Sequence, residues 1–165
     1  MKKYLEFIKE LFNTKNYKWI SNSDTQKIAS FKIIETYYIN FDTIGDKAYN
    51  IYFYFNDLTN KPIYNLVNNI DKSSYKILSN VKNCIIEFIN NNEVNFIGYS
   101  SYENERDSLY FLMLQLLSGY GDFDYSTKIV GRKKYYFLYK KDIAMESHLY
   151  IKRMMENDNK KKKDL

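Results

Sequence analysis

The sequence predicts an α+β domain, with a mostly antiparallel sheet of about five to seven strands, three or four helices packed on it, and a late helix-strand-helix step. Three observations predict it. Segments rich in β-branched and aromatic residues crowd between Tyr17 and Phe55. Two stretches of helical period then flank the strand-like VNFIGY, residues 94–99. The composition of the 165 residues, 45% hydrophobic and 18% aromatic with one proline and five glycines, is that of a packed core rather than of a disordered or loop-rich chain.

In chain order, Leu5, Ile8, Leu11 and Phe12 recur at helical spacing, so residues 2–12 read as a short amphipathic helix. KIASFKII, TYYINF and AYNIYFYF read as strands, with the turn between the last two placed in DTIGD, Asp42 to Asp46. In AYNIYFYF the alternation puts Tyr49, Ile51, Phe53 and Phe55 on one face and Asn50, Tyr52 and Tyr54 on the other. Pro62 and IYNLV suggest a short edge segment. A helix of about 16 residues follows Asp71, with Ser73 or Ser74 as its cap, a stripe of Leu78, Val81, Ile85 and Phe88, and an end at Asn90 to Asn92. Residues 105–118 read as a second helix closed by Gly119. Phe123 to Val130 and Tyr135 to Tyr139 read as a hairpin around Gly131, and Asp142 opens a last helix to about Asn157. One domain is expected over 1–156, followed by a lysine-rich flexible tail over 157–165, because NDNKKKKDL carries almost nothing apolar.

The net charge of +5 is modest, and Lys160 to Lys163 concentrate part of it in that tail. Such a body is far from the strongly polarised surface of a committed nucleic-acid binder. One cysteine, Cys84, leaves no partner for an intramolecular disulfide and fits a reducing compartment. With His148 as the sole histidine, no zinc site of the Cys/His type is expected, and no cofactor or metal is needed to hold the fold. Glu6, Lys9 and Glu10 interrupt any secretory core, and LYFLMLQLL is too short to span a bilayer, so a cytoplasmic protein without a membrane partner is expected.

Enzyme chemistry finds little support. An acetyltransferase of the N-acetyl kind needs a glycine-rich pyrophosphate cradle, and NNIDKSSYK has no glycine. Asp122 and Asp124 lie two apart without the following lysine of a metal-dependent nuclease and read as solvated turn acids. His148 has no nucleophile near it in sequence, and Cys84 sits on a strongly apolar helix as an inert core thiol.

Three groups of residues remain as candidates. At the start of the second helix, Arg106 faces the positive end of the helix dipole; either Glu103 and Glu105 compensate it, or an anion lies between Arg106 and the first-turn N–H groups, with Ser100 or Ser101 donating and Tyr110 alongside. Around Gly131, Lys128, Arg132, Lys133 and Lys134 interleave with Tyr135 and neighbouring tyrosines, a pattern shared by single-stranded nucleic-acid grooves and by ordinary solvated turns. In Leu109 to Leu117 only Gln115 is polar, so Tyr110, Phe111, Met113, Leu114 and Leu117 are covered either inside the fold or by a second chain, as in a homodimer or a partner complex.

GDKAYNIYF, YKILSNVKNCIIEFI, VNFIGYSS and the R-x-x-L-Y start at Arg106 to Tyr110 together resemble an uncharacterised family of small phage and bacterial α+β domains, over about residues 41–120. The resemblance implies a phage or mobile-element setting and brings no catalytic residues. The expected function is therefore a non-catalytic accessory protein that binds a host or phage protein, an inhibitor of a host or defence factor being one form of it. The alternative is a nucleic-acid binder using the basic aromatic hairpin and the lysine tail.

Overall fold

The computed structural model describes residues 16–23, 27–32, 36–56, 59, 62–63, 72–101 and 107–163. The helix expected over 2–12, most of IYNLV, and Glu103, Glu105 and Arg106 lie outside the described residues. Eight strands form one sheet: β1 (Tyr17–Asn22), β2 (Lys27–Lys32), β3 (Thr36–Gly45), β4 (Ala48–Asn56), β5 (Pro62–Ile63), β6 (Phe96–Ser101), β7 (Phe123–Val130) and β8 (Lys133–Lys140). They are hydrogen-bonded in the order β1-β2-β3-β4-β6-β8-β7, with β5 pairing to β4 off this path. The helices are α1 (Lys72–Asn91), α2 (Asp107–Ser118) and α3 (Ser147–Lys163), the last preceded by a 3-10 turn at Lys141–Ile143. This is the expected α+β class, and α1-β6-α2 is its helix-strand-helix step. The pairing of β4 with β6 is parallel, which needs a crossover, and α1 supplies it. No helix of the described residues is long and apolar enough to cross a membrane.

Several boundaries move for physical reasons. The turn between β3 and β4 is Asp46-Lys47 rather than DTIGD, whose Thr43 and Ile44 extend β3. Lys47 takes a positive φ of 53° there, and its carbonyl accepts from the Asn95 N–H at 2.7 Å, so the tight turn also anchors the entry to β6. That anchor explains why β6 begins at Phe96, two residues after VNFIGY starts. Strand β1 was not singled out in the sequence. Helix α1 begins at Lys72, which puts Ser73 and Ser74 within its first turn.

The expected single domain meets a chain that divides into two compact units, Met1–Asn40 with Tyr52–Asn91, and Phe41–Ile51 with Asn92–Leu165. In the first, the α1 stripe of Leu78, Val81, Ile85 and Phe88 is buried, and Cys84 with it. Strand β1 lies against that helix. The Trp19 ring is 6.4 Å from Phe88, Asn16 N–H donates to Asn80 Oδ1 at 2.7 Å, and the Tyr17 hydroxyl donates to the Glu87 carboxylate. Burial, with the Glu87 charge behind it, pushes the Cys84 thiol far above its ordinary pKa, so it is the inert core thiol the sequence suggested.

The second unit is a sheet segment covered on both faces. On one face Tyr150 and Met154 of α3 join Ala48, Phe96, Tyr135 and Phe137 in a buried cluster. Gly98 leaves room for α3 here: a Cβ at that position would meet the Met154 side chain and make it shift. On the other face Tyr99 and Tyr136 stack at 5.1 Å, with the Tyr110 ring of α2 at 6.2 and 5.8 Å from them. Coverage of both faces explains why Tyr135, Tyr136, Phe137 and Leu138 are all buried in sequence.

Candidate functional site

Strand β8 decides where the candidate residues point. Successive side chains alternate between faces, so Lys133 and Lys134 leave the hairpin in opposite directions. Lys133 turns to the α3 face, where its Nζ lies 2.5 Å from Asp158 Oδ2. The same carboxylate accepts from Asn50 Nδ2 at 3.4 Å. Only 11% of the Lys133 side chain and 4% of that of Asp158 remain exposed. Lys134 turns to the α2 face, where its Nζ lies 2.5 Å from Asp107 Oδ1 and the Tyr136 hydroxyl donates to the same oxygen at 2.7 Å.

The basic hairpin is thereby divided. Of Lys128, Arg132, Lys133, Lys134 and Tyr135, the two lysines of β8 are held by aspartates, Tyr135 is buried against Phe137, and Lys128 and Arg132 are exposed. Lys133 lies over the Tyr135 ring and Lys134 over that of Tyr136, and both rings are buried, so neither is open for a base to stack on.

Asp158 also corrects the expected tail. Helix α3 runs to Lys163, so residues 157–163 of the expected flexible tail are helical, and Asp158 among them is 5% exposed. Tyr150, Met154 and Asp158 are spaced four apart, one helical stripe, and the stripe's last inward position is a carboxylate matched to Lys133. The spacing from Met154 was the one signal in the sequence that pointed inward. The lack of apolar residues after it concealed the burial.

The helix-start candidate changes as well. Ser100 pairs with Tyr135 and Ser101 with Lys134, so the two alternative donors face opposite sides of the sheet, and Ser101 is the one on the α2 face. Tyr110 is 3% exposed, and its carbonyl accepts from the Tyr99 hydroxyl at 2.9 Å. The first residue of α2 is Asp107, a carboxylate where the helix dipole favours one. Partial burial pushes the Asp107 carboxyl up, but hydrogen bonds from Lys134 and Tyr136 and the lysine's charge outweigh it and hold its pKa below the ordinary value. Burial first, and the Asp107 hydrogen bond second, drive the Tyr136 hydroxyl well above its ordinary range. Burial does the same to Tyr99, with its tyrosine neighbours adding to it. These hydroxyls keep their protons and act as structural donors.

The apolar run of α2 resolves inward. Tyr110, Met113, Leu114 and Leu117 are buried and offer no face to a second chain. Phe111 is half-buried, its ring edge-on to Tyr125 at 5.8 Å. Asp122 and Asp124 are exposed; Asp122 is a solvated turn acid 3.6 Å from Lys141, whereas Asp124 lies within strand β7. His148 is exposed at the start of α3.

No family model matches the chain, and no curated protein or solved structure matches it. Function has to be read from this geometry alone.

Exposed apolar residues include Ile20, Tyr120, Met145 and Leu149, but two neighbours, Ile129 and Val130, fall together on strand β7, next to the turn that follows it. Among the described strands β7 pairs with β8 alone and ends the sheet order. Gly131, at φ 61°, makes the turn. Beside it Ile129 is 70% and Val130 41% exposed, between the exposed cations Lys128 and Arg132. The sequence missed this surface because IV in a strand reads as core, and only the strand order makes it an edge.

Proposed function

We propose that the chain is a protein-binding module without chemistry of its own, and that it presents the open edge of β7 and the Gly131 turn to a protein partner. The observation that carries this reading is Ile129, an isoleucine 70% exposed on an edge strand whose outer backbone groups have no neighbouring strand among those described. Soluble domains blunt such edges, and an apolar residue kept there favours strand addition by a partner. In the mobile-element setting that the sequence resemblance implies, a host or phage protein is a candidate partner and inhibition a candidate outcome. The nucleic-acid reading is weakened by the pairing of Lys133 and Lys134, which leaves Lys128 and Arg132 as its exposed hairpin cations.

A photo-reactive amino acid in place of Ile129 tests the reading. Irradiation in cells is expected to give discrete protein adducts, and binding of single- and double-stranded nucleic acid at physiological salt is expected to be no stronger than weak non-specific association. Adducts consisting of nucleic acid, or no adduct at all, overturn it.

A further inference from the structure

Resting on that reading, the geometry of β7 specifies a partner: we infer that the strand pairs antiparallel with β7 of a second copy of this chain, about a two-fold axis at Ser126. The argument begins with which backbone groups are open. Lys141 N–H donates to the Asp122 carbonyl at 3.0 Å, so at position 122 the backbone faces β8. Residues two apart in a strand direct their N–H and C=O groups to the same side, and the ladder runs without a break from Phe123↔Lys140 to Val130↔Lys133. Asp124, Ser126, Lys128 and Val130 therefore bond toward β8. Phe123, Tyr125, Thr127 and Ile129 turn their N–H and C=O groups to the open edge. The Tyr125 N–H agrees with this assignment: it donates to Asp124 Oδ1 at 2.9 Å instead of to β8.

Two such edges form a regular antiparallel ladder only if outward-facing residues meet outward-facing residues. With the axis at Ser126, Phe123 meets the partner's Ile129 and Tyr125 meets the partner's Thr127, each as a hydrogen-bonded pair. The same register sets Asp124 directly opposite the partner's Lys128, and Lys128 opposite the partner's Asp124. These are non-hydrogen-bonded positions, where side chains approach most closely. Asp124 and Lys128 are both exposed and lie on one face of the strand, opposite Tyr139 and Tyr135 of β8. Moving the axis to Thr127 sets Asp124 against Val130 and Lys128 against Ser126; moving it to Tyr125 shortens the ladder, sets Asp124 against Ser126 and carries Lys128 past the strand's start to Asp122, which already lies 3.6 Å from Lys141. Of these three, the Ser126 register alone pairs Asp124 with Lys128, twice by symmetry, and it lays the exposed Ile129 beside the buried Phe123 on the α2 face. In forming the ladder, Tyr125 N–H exchanges its bond to Asp124 for one to the partner's Thr127 carbonyl, which releases the carboxylate to the partner's Lys128. This edge is distinct from the apolar face of α2, which the fold itself buries.

Sedimentation velocity on the full chain, with its 19.9 kDa monomer mass, reads the outcome. A concentration-dependent dimer is expected below about 200 µM, the range of small, transient interfaces. Asp124→Lys or Lys128→Asp alone sets like charges opposite each other at both symmetric positions and is expected to weaken dimerisation about ten-fold. The double exchange, D124K with K128D, restores the pairs and is expected to return the affinity to near that of the wild type. Thr127→Pro removes an outward N–H while leaving the β8 ladder intact, so it is expected to abolish the dimer with an unchanged circular dichroism spectrum. A monomer at the highest concentration, a dimer indifferent to T127P, or a double exchange no tighter than its single parents overturns the inference. A monomer that still yields protein adducts from position 129 sinks the self-pairing and leaves the protein-binding reading standing; a monomer without adducts sinks both.

Discussion

Lys133 and Lys134 are neighbours in sequence, and each ends on an aspartate at 2.5 Å, yet their surroundings differ. Lys133 and Asp158 are 11% and 4% exposed, with Asn50 also donating to the carboxylate inside the α3 face. Lys134 and Asp107 are 23% and 39% exposed at the start of α2. Burial decides what such a pair is worth. A desolvated pair adds little over an apolar replacement, but losing one member strands the other charge, whereas a pair near water tolerates the loss because solvent takes over. The two pairs also join different elements to the same strand, one the end of α3 and the other the beginning of α2, so the hairpin is tied down on both faces.

This contrast can be broken most forcefully at Lys133. Lys133→Met takes from the buried Asp158 the ammonium 2.5 Å away and is expected to cost about 3–5 kcal/mol in denaturant unfolding. The double variant K133M with Asp158→Leu is expected to recover most of that loss, because no stranded charge remains. A double variant as unstable as the single one would mean the pair itself, and not the penalty of an orphaned carboxylate, holds α3 in place.

A smaller effect is expected at Tyr136, whose hydroxyl donates to the Asp107 carboxylate. Tyr136→Phe keeps the stack on Tyr99 and removes the donor alone, for an expected loss of about 1.5–3 kcal/mol, as for hydrogen bonds to charged groups. Equal losses for Y136F and a Tyr136→Ala variant would contradict the packing role assigned to the ring.

The smallest change is expected at Lys134, where Lys134→Met should cost about 0–1 kcal/mol and less at high salt. Its pH dependence has a definite sign. The Asp107 carboxyl is held below its ordinary value in the folded protein, so its pairing stabilises fully above the unfolded pKa of about 4 and is lost as pH falls through the lower folded value. The stability difference between wild type and K134M is therefore expected to narrow as the pH drops below about 4 in acid titrations followed by circular dichroism. A gap that widens in acid would reverse the assignment.

Much of the fold was legible because local pattern reflects local burial. The α1 stripe of Leu78, Val81, Ile85 and Phe88, the hairpin around Gly131 and the strand after Asn92 all follow from periodicity and turn residues. The candidate sites were less legible. Tyr110 read as a neighbour of Arg106 or as an interface residue, and it is a core ring between Tyr99 and Tyr136. Ser100 and Ser101 read as alternative donors, and strand alternation puts them on opposite faces. Asp158 read as tail because its inward-facing partner is a lysine 25 residues earlier, and no local pattern registers a long-range pair.

By itself the sequence determined the α+β class, the main helices and strands, and the apolar faces that form the core, since hydrophobic period and propensity act over a few residues. Only the tertiary structure decided which charges meet and which strand is left at the edge. Lys133 and Lys134 look alike until the sheet separates them by face and each face brings its own helix and aspartate. Ile129 looks like core until the strand order ends at β7. Charge pairing and edge exposure depend on elements distant in the chain, and they become fixed only when the packing of those elements does.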